Sequence, residues 1–261
     1  MSRFIAIANQ KGGVGKTTTA VNLSACLAQS GKRTLIIDMD PQANTSSGLG
    51  LDPTKVRRSV YDMLINGHLA RQIVTTTDIQ NLEIIPSTVK LVGAEVEMVA
   101  MMAREQILRK ALEPIRDNYE YVIADCPPSL GLLTLNTLTA ADSVLIPIQT
   151  EYYALEGLSQ LLNTIRLVQK HLNRNLAVEG ILLTMYDGRL NLSNQVMEDV
   201  QQFFHGRVFR TIIYRNVKLS EAPSHGVPIT LYDQSCRGAE NYVELAKELL
   251  DHENEIVGKR A

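Results

Sequence analysis

The chain has 261 residues, a net charge of −2, 45% hydrophobic and 21% charged residues, which fits a folded domain and excludes a disordered or uniformly basic, nucleic-acid-coating protein. No apolar run approaches the length of a membrane span. The three cysteines, Cys26, Cys126 and Cys236, form no C-x-x-C pair, which argues against a cluster held by a close cysteine pair and for reduced, structural thiols in a cytoplasmic protein.

Phe4-Ile5-Ala6-Ile7-Ala8 predicts a buried strand so near the start that no secretion leader is expected. Gln10-Lys11-Gly12-Gly13-Val14-Gly15-Lys16-Thr17-Thr18 follows, and Thr19 to Ala28 predicts a helix. Strand, glycine loop and helix are the setting of a phosphate cradle. The glycines let backbone N–H groups close around an anion, the lysine reaches the β/γ-phosphates, and the first hydroxyl takes a place on Mg²⁺. Gly12, Gly13, Val14, Gly15, Lys16, Thr17 and Thr18 are therefore the expected nucleotide contacts, with Thr17 as a metal ligand.

Gly31 is placed to end the helix, and Arg33 to Asp40 predicts a second strand closing on Asp38 and Asp40. Alternation puts both acids on one face, with Asp40 nearer the loop and so nearer a γ-phosphate. Ser59 is placed to cap a short helix, and Leu82–Ile85 is a strand stopped by Pro86. Val89 to about Leu112 predicts one helix, in which Met98, Met101 and Met102 are expected to fill core. Tyr121–Asp125 is an apolar strand ending in an acid, the position of a carboxylate near Mg²⁺. Strands at Ser143–Ile148, Val178–Met185 and Val208–Tyr214 follow, with helices from Leu158 to Leu172, Asn191 to Phe204 and Gly238 to about Leu250.

The alternation predicts one α/β domain spanning 1–261, with a tail from about 251. Its doubly wound, mostly parallel sheet carries helices on both faces. Ligands on such sheets sit at the carboxyl ends of strands, where the loop, Asp40 and Asp125 all fall. No hydrolase elbow of the G-x-S-x-G type occurs, and the histidines lack metal-ligand spacing.

The loop departs from G-x-x-x-x-G-K-[ST] at Gln10-Lys11, and this arrangement resembles the deviant Walker A loop of the ParA/MinD/nitrogenase-iron-protein ATPases. Asp40-Pro41-Gln42 resembles the first switch segment of ParA proteins, and Asp125-Cys126-Pro127-Pro128-Ser129-Leu130-Gly131 the second. The segment from Glu151 to Gly157, the run Arg215 to Gly226, and Arg237-Gly238-Ala239-Glu240 resemble further signatures of the Soj/ParA chromosomal subgroup.

The resemblance implies a slow, dimer-forming ATPase that uses ATP and Mg²⁺, with the nucleotides sandwiched between two copies. Lys11 would reach the partner's nucleotide and Glu151 would lie near the dimer interface. Asp40 would support hydrolysis with Lys16 and Asp125, and Asp40 and Asp125 would share the metal with Thr17. Asn216 would frame the adenine together with position 214, usually proline in the family and Tyr214 here. Met185 is taken with them as a nucleotide contact. The family's ATP dimer binds double-stranded DNA without sequence preference, and a ParB-type centromere-binding partner stimulates hydrolysis and release. Arg189 and Lys218 align with arginines used for DNA contact, and Arg215 joins them. Between His205 and Arg237 five basic residues face only Glu221 and Asp233, a local excess of +3. The implied location is cytoplasmic and nucleoid-associated. The alternative, a MinD-like membrane switch, requires a basic amphipathic C-terminal helix. The run Asp251 to Ala261 is mostly polar with an acidic start, so membrane docking is not expected.

Overall fold

The computed structural model describes residues 2–151, 154–204 and 206–258; for residues 154–156 and 252–258 it describes the backbone alone. Among the described residues seven strands form one sheet: β1 (Arg3–Ile7), β2 (Thr34–Asp38), β3 (Thr75–Thr76), β4 (Leu82–Ile85), β5 (Tyr121–Asp125), β6 (Ser143–Gln149) and β7 (Ala177–Thr184), in the order β3-β4-β2-β5-β1-β6-β7. All neighbours run parallel except β3, a short antiparallel edge strand on β4.

The helices are α1 (Lys16–Gln29), α2 (Asn44–Gly48), α3 (Val60–Leu64), α4 (Leu91–Glu97), α5 (Ile107–Arg116) and α6 (Leu132–Ala140), then α7 (Ala154–His171), α8 (Asn191–Phe203), α9 (Lys218–Glu221), α10 (Ile229–Tyr232) and α11 (Arg237–Gly258). Among the described residues no helix is long and apolar enough to cross a membrane.

The central strands are apolar almost throughout because both faces of the sheet are covered. Along β1 the pleat sends Phe4 and Ala6 into one core, with residues from α3 to α8, and Ile5 and Ile7 into the other, with α1 and α11. The chain leaves β1 between β5 and β6, where the winding reverses, so the phosphate loop emerges at the switch point of the sheet. Ser59 caps α3 through a reciprocal pair with Asp62, whose Oδ2 accepts from the Ser59 N–H at 2.8 Å.

Three expectations need correcting. The single helix over 89–112 breaks between α4 and α5, with left-handed backbone at Ala103. Asn136 on α6 captures the freed groups: its Nδ2 donates to the Arg104 carbonyl at 2.8 Å and its Oδ1 accepts from the Leu108 N–H at 3.1 Å. Met98 is core, whereas Met101 and Met102 are exposed, because the break turns them outward. The expected strand 208–214 is reduced to isolated bridges of Val208 with Ile181 and Tyr214 with Tyr186. Glu248 of α11 takes the backbone N–H groups of Arg210 and Thr211, at 2.7 and 2.9 Å, which removes two donors from the ladder. Neither α6 nor β3 carries a periodic signal in the sequence. The threonine-rich, all-round apolar run of α6 has no helical stripe, and its hydroxyls fold back onto its own carbonyls, as Thr137 does to Leu133 at 2.9 Å.

Candidate nucleotide site

The loop between β1 and α1 turns with Gly13 and Gly15 in left-handed conformation, at φ 72° and 87°, and a Cβ at Gly12 or Gly13 would meet nothing within 4 Å. Gly15 precedes the first turn of α1 without capping it, so the first N–H groups of the helix remain for an anion. Lys16 is buried, and its Nζ donates to the carbonyl oxygen of Lys11 at 3.1 Å. Burial pulls the Lys16 pKa below its usual value, against the opposing pull of Asp125, Cys126 and Asp40.

Lys11 behaves differently. Its side chain is one-third exposed, and its Nζ pairs with Glu151 Oε2 at 3.1 Å on the outer rim. Its N–H donates to Asn9 Oδ1 at 3.0 Å, and Asn9 in turn donates to the Pro147 carbonyl at 2.8 Å. The loop thus hangs on the end of β6. Gln149 Nε2 holds the Gly13 carbonyl at 2.7 Å, and the Thr184 hydroxyl lies 2.9 Å from the Val14 carbonyl. Gly12 is exposed and Thr18 half-buried, its carbonyl accepting from Asn22.

The acids lie side by side because β2 and β5 pair with Asp38 opposite Asp125. Both are fully buried. Asp125 Oδ2 accepts from the hydroxyls of Thr17 and Thr45, each at 2.7 Å. Its Oδ1 is buried with no hydrogen-bond partner. Burial raises the Asp125 pKa to about 6, with Asp40 adding to the rise and Thr17, Thr45 and Lys16 opposing it. Oxygen donors around an unpaired carboxylate oxygen suit a hard divalent cation, and Mg²⁺ binds through one or two carboxylates plus phosphates and not a closed protein cage. Among the described residues no group of three or more His, Cys, Asp or Glu forms such a cage. Thr17 and Asp125 therefore fit the metal. Thr45 had no signal in the sequence beyond its place in a polar loop.

Asp38 Oδ2 accepts from the N–H and hydroxyl of Ser46, at 2.9 and 2.7 Å, and Oδ1 accepts from the Asp40 N–H at 3.2 Å. The Ser87 N–H donates to Ser46 Oγ at 3.0 Å, so Asp38 ties α2 to the end of β4. Burial, then repulsion from Asp125, pushes the Asp38 pKa up to about 7. Asp40, two residues beyond the end of β2, is buried, with Oδ1 accepting from the Gln42 N–H at 2.9 Å.

On the other side of α1 a narrow cavity of about 90 Å³ is lined by Gly15, Thr18, Met185, Tyr214, Asn216 and Tyr242 among others. Met185 is left-handed at φ 51°. Arg237 stacks on the Tyr214 ring, 3.2 Å from its centre, and Asn216 Oδ1 accepts from the Lys218 N–H at 2.9 Å. A wider cleft of about 550 Å³, bordered by Lys55, Arg57 and Arg58, lies away from the glycine loop.

The basic residues are exposed but not all free. Arg189 forms a two-point pair with its own loop's Asp187, at 2.9 and 2.7 Å, which holds that carboxyl down at about 2. Lys218 pairs with Glu221 at 3.4 Å and sits over the Tyr232 ring, and Arg210 faces Glu248 at 3.9 Å. Arg215 is exposed. The local charge excess is thus partly neutralised within the chain. Tyr152 and Tyr153, in the segment after Glu151, and the side chains of the tail from 252 lie outside the described residues.

One further contact joins the two halves of the site. A Cβ on Gly226 would lie 2.8 Å from the Gly50 Cα, so the loop after α2 and the segment after α9 touch backbone to backbone.

The chain matches the family described as "AAA domain" over residues 2–178. It is 60% identical over 249 residues to the sporulation initiation inhibitor protein Soj of Bacillus subtilis, covering 95% of this chain and 98% of that protein. It is 54% identical to the chromosome partitioning protein ParA of Myxococcus xanthus, over 96% of this chain and 88% of that one. Among solved structures it superposes on cobyrinic acid a,c-diamide synthase from Mycobacterium smegmatis with bound ADP and magnesium. The TM-score is 0.86 and the identity 37%, over 97% of this chain and 96% of that one.

Proposed function

We propose, from the premise that this chain belongs to the ParA/Soj family of chromosome-partitioning ATPases, a two-lysine switch that makes bound nucleotide legible to a second subunit. The chain is a partitioning ATPase working with ATP and Mg²⁺. The proposal concerns its residues and its cycle.

Lys16, with the amides of Gly12 to Thr18, would grip the phosphates within one subunit. Mg²⁺ supplies charge neutralisation on phosphate oxygens, and Thr17 and Asp125 would hold it with Asp40 at its edge. Asp40 would also orient the attacking water, while Asp38 keeps α2 in position. Positioning and electrostatics carry most of this chemistry, so no strong base is required. Met185, Tyr214 and Asn216 would border the adenine. Lys11 would leave Glu151 and reach the partner's nucleotide. The homodimer so formed would bind double-stranded DNA through Arg189, Arg215 and Lys218. A ParB-type partner would stimulate hydrolysis and return monomers to the cytoplasm from the nucleoid.

The observation that supports this reading is the division of labour in one loop: Lys16 is buried under the loop, and the Lys11 side chain faces outward in an exposed ion pair. Sedimentation of the chain with Mg²⁺ and a non-hydrolysable ATP analogue, with and without duplex DNA, tests it. ATP-dependent dimers retained on DNA at low salt are expected. A chain that stays monomeric at every nucleotide state would sink the proposal.

A further inference from the structure

The two edges of the sheet are treated differently. Along β7 the chain covers its own edge. The Ile181 N–H donates to the Arg207 carbonyl at 2.7 Å, and the carbonyls of Ile181 and Leu183 accept from Phe209 and Ile213 at 3.0 and 2.9 Å. The β3 edge has no such cover among the described residues. The Thr77 N–H donates to the Leu82 carbonyl of β4 at 3.4 Å, so the alternation of an antiparallel ladder turns the N–H and C=O of Thr76 outward. Open edges are commonly guarded by a lysine, an inward-pointing charge or a proline on the strand itself. Thr75 and Thr76 supply none of these, and both are exposed.

Charge comes from a neighbouring segment instead. A cleft of about 550 Å³ is lined by Ile73, Val74 and Thr75, which lead into β3, and by Arg57 and Arg58. The acid that lines it, Asp52, is already engaged. Its Oδ1 accepts from the N–H and hydroxyl of Thr54 at 3.0 and 2.6 Å, and its Oδ2 pairs with Lys55 at 3.1 Å. Arg57 and Arg58 are exposed and form no ion pair among the described residues. Both segments are fixed to the fold. Arg58 precedes the cap residue Ser59, and the Val60 N–H donates to the Pro86 carbonyl at 2.8 Å. The N–H groups of Ile73 and Val74 both donate to the Ala70 carbonyl, at 2.9 and 3.0 Å. The cleft is therefore preformed.

These features select one kind of occupant. Two strand residues offer too few hydrogen bonds to hold an added strand by themselves, so the added strand must bring complementary charge. Unpaired guanidiniums call for carboxylates or phosphates. An outward N–H beside an outward C=O calls for a chain that both donates and accepts, as strand addition to a sheet edge does. Ionised phosphates accept only. An acidic polypeptide meets both demands, and a nucleic-acid backbone meets one. We propose that this cleft docks an extended, acidic segment of a partner protein, added to β3 as a further strand of the sheet. The cleft lies away from the glycine loop, so docking would not require bound nucleotide.

The test uses the full chain and a fluorescein-labelled peptide that alternates Glu with Val and Thr, read by fluorescence anisotropy at low salt. The same peptide with Lys in place of Glu is the charge control, and binding of labelled ADP reports folding. Expected are binding in the range of about 100 μM or tighter, a loss of at least about tenfold in Arg57→Glu/Arg58→Glu, and ADP affinity within about twofold of wild type. The Lys peptide should not bind. Hydrogen exchange at the Thr76 amide should slow when the Glu peptide binds, and Thr76→Pro, which lacks that N–H, should weaken binding several-fold. If Thr76→Pro fails to fold, the exchange measurement decides the strand pairing. No binding up to about 1 mM overturns the proposal. So does equal binding by the double variant, or binding that leaves exchange at Thr76 unchanged. Displacement of the peptide by duplex DNA held through Arg57 and Arg58 would assign the cleft to a phosphate backbone and also overturn it.

Discussion

The ammonium of Lys16 donates to the main-chain carbonyl of Lys11, 3.1 Å away. The residue proposed to grip phosphate and the residue that faces outward are therefore joined through one carbonyl. A phosphate that drew Lys16 away would release that carbonyl. Replacing Lys16 by Ala is expected to abolish nucleotide binding to the monomer. Replacing Lys11 by Ala is expected to leave ADP binding within a few-fold and to remove the ATP-dependent dimer. Equilibrium binding of labelled ADP, together with sedimentation, separates the two.

Asp38 and Asp40 stand two residues apart with different partners, and their variants should diverge. Asp38→Ala leaves the Ser46 N–H and hydroxyl and the Asp40 N–H without their acceptor in a buried site. A cost of about 2–4 kcal/mol is expected in urea unfolding, the sum of unsatisfied donors less the relief of a buried charge. Asp40→Ala should cost under about 1 kcal/mol and keep ATP binding, while stopping hydrolysis and trapping the dimer on DNA. Loss of ATP-dependent DNA retention in Asp40→Ala would count against its role.

The nucleotide-free protein should prefer mild acid. The carboxyls of Asp38 and Asp125 titrate at about 7 and about 6 in the fold, both above the unfolded value. The native state therefore holds protons that the unfolded chain has already lost. The stabilisation is complete below the unfolded pKa and is lost as pH rises through 6 to 7. Melting temperature should fall between about pH 4 and about pH 7, and Asp125→Asn should flatten that slope. A melting temperature independent of pH across this window would contradict the burial of these acids.

Thiol chemistry offers a direct check of packing. Burial pushes the thiols of Cys26 and Cys126 up to about 12, whereas Cys236 is partly exposed. Alkylation of the native protein near pH 8, read by mass spectrometry, should label Cys236 first by a wide margin. Rapid labelling of Cys126 would mean that the segment after Asp125 opens.

Because Arg189 is held by Asp187, DNA affinity should respond to both. Asp187→Asn is expected to strengthen duplex binding several-fold by freeing a guanidinium. Replacing Arg189 and Lys218 together by Ala should weaken binding and lower the salt slope by about 2, with ATP binding unchanged. An unchanged slope would show that DNA contacts lie elsewhere.

The glycine loop, the strand ending in Asp125 and the capped helix at Ser59 could be read from sequence because each is specified by neighbours along the chain. What escaped is specified across it. Glu248 dissolves the strand expected at 208–214 from 37 or more residues away, and Asn136 breaks a long helix from another element. Thr45, Gln149 and Thr184 join the site only because strand ends converge on it. In the segment from Val89 to Val99 two apolar faces alternate, Leu91-Ala94-Met98 and the valines, and spacing alone does not say which of them finds the core.

The Gly50–Gly226 contact has a mechanical meaning. Side chains absorb small displacements by changing rotamer, and two touching backbones have no such play. Asp38 fastens α2 at one end, and the loop leaving α2 bears on the segment that follows Lys218 at the other. A methyl group at position 226 would lie 2.8 Å from the Gly50 Cα, so the loop after α2 and the segment after α9 could not both keep their places.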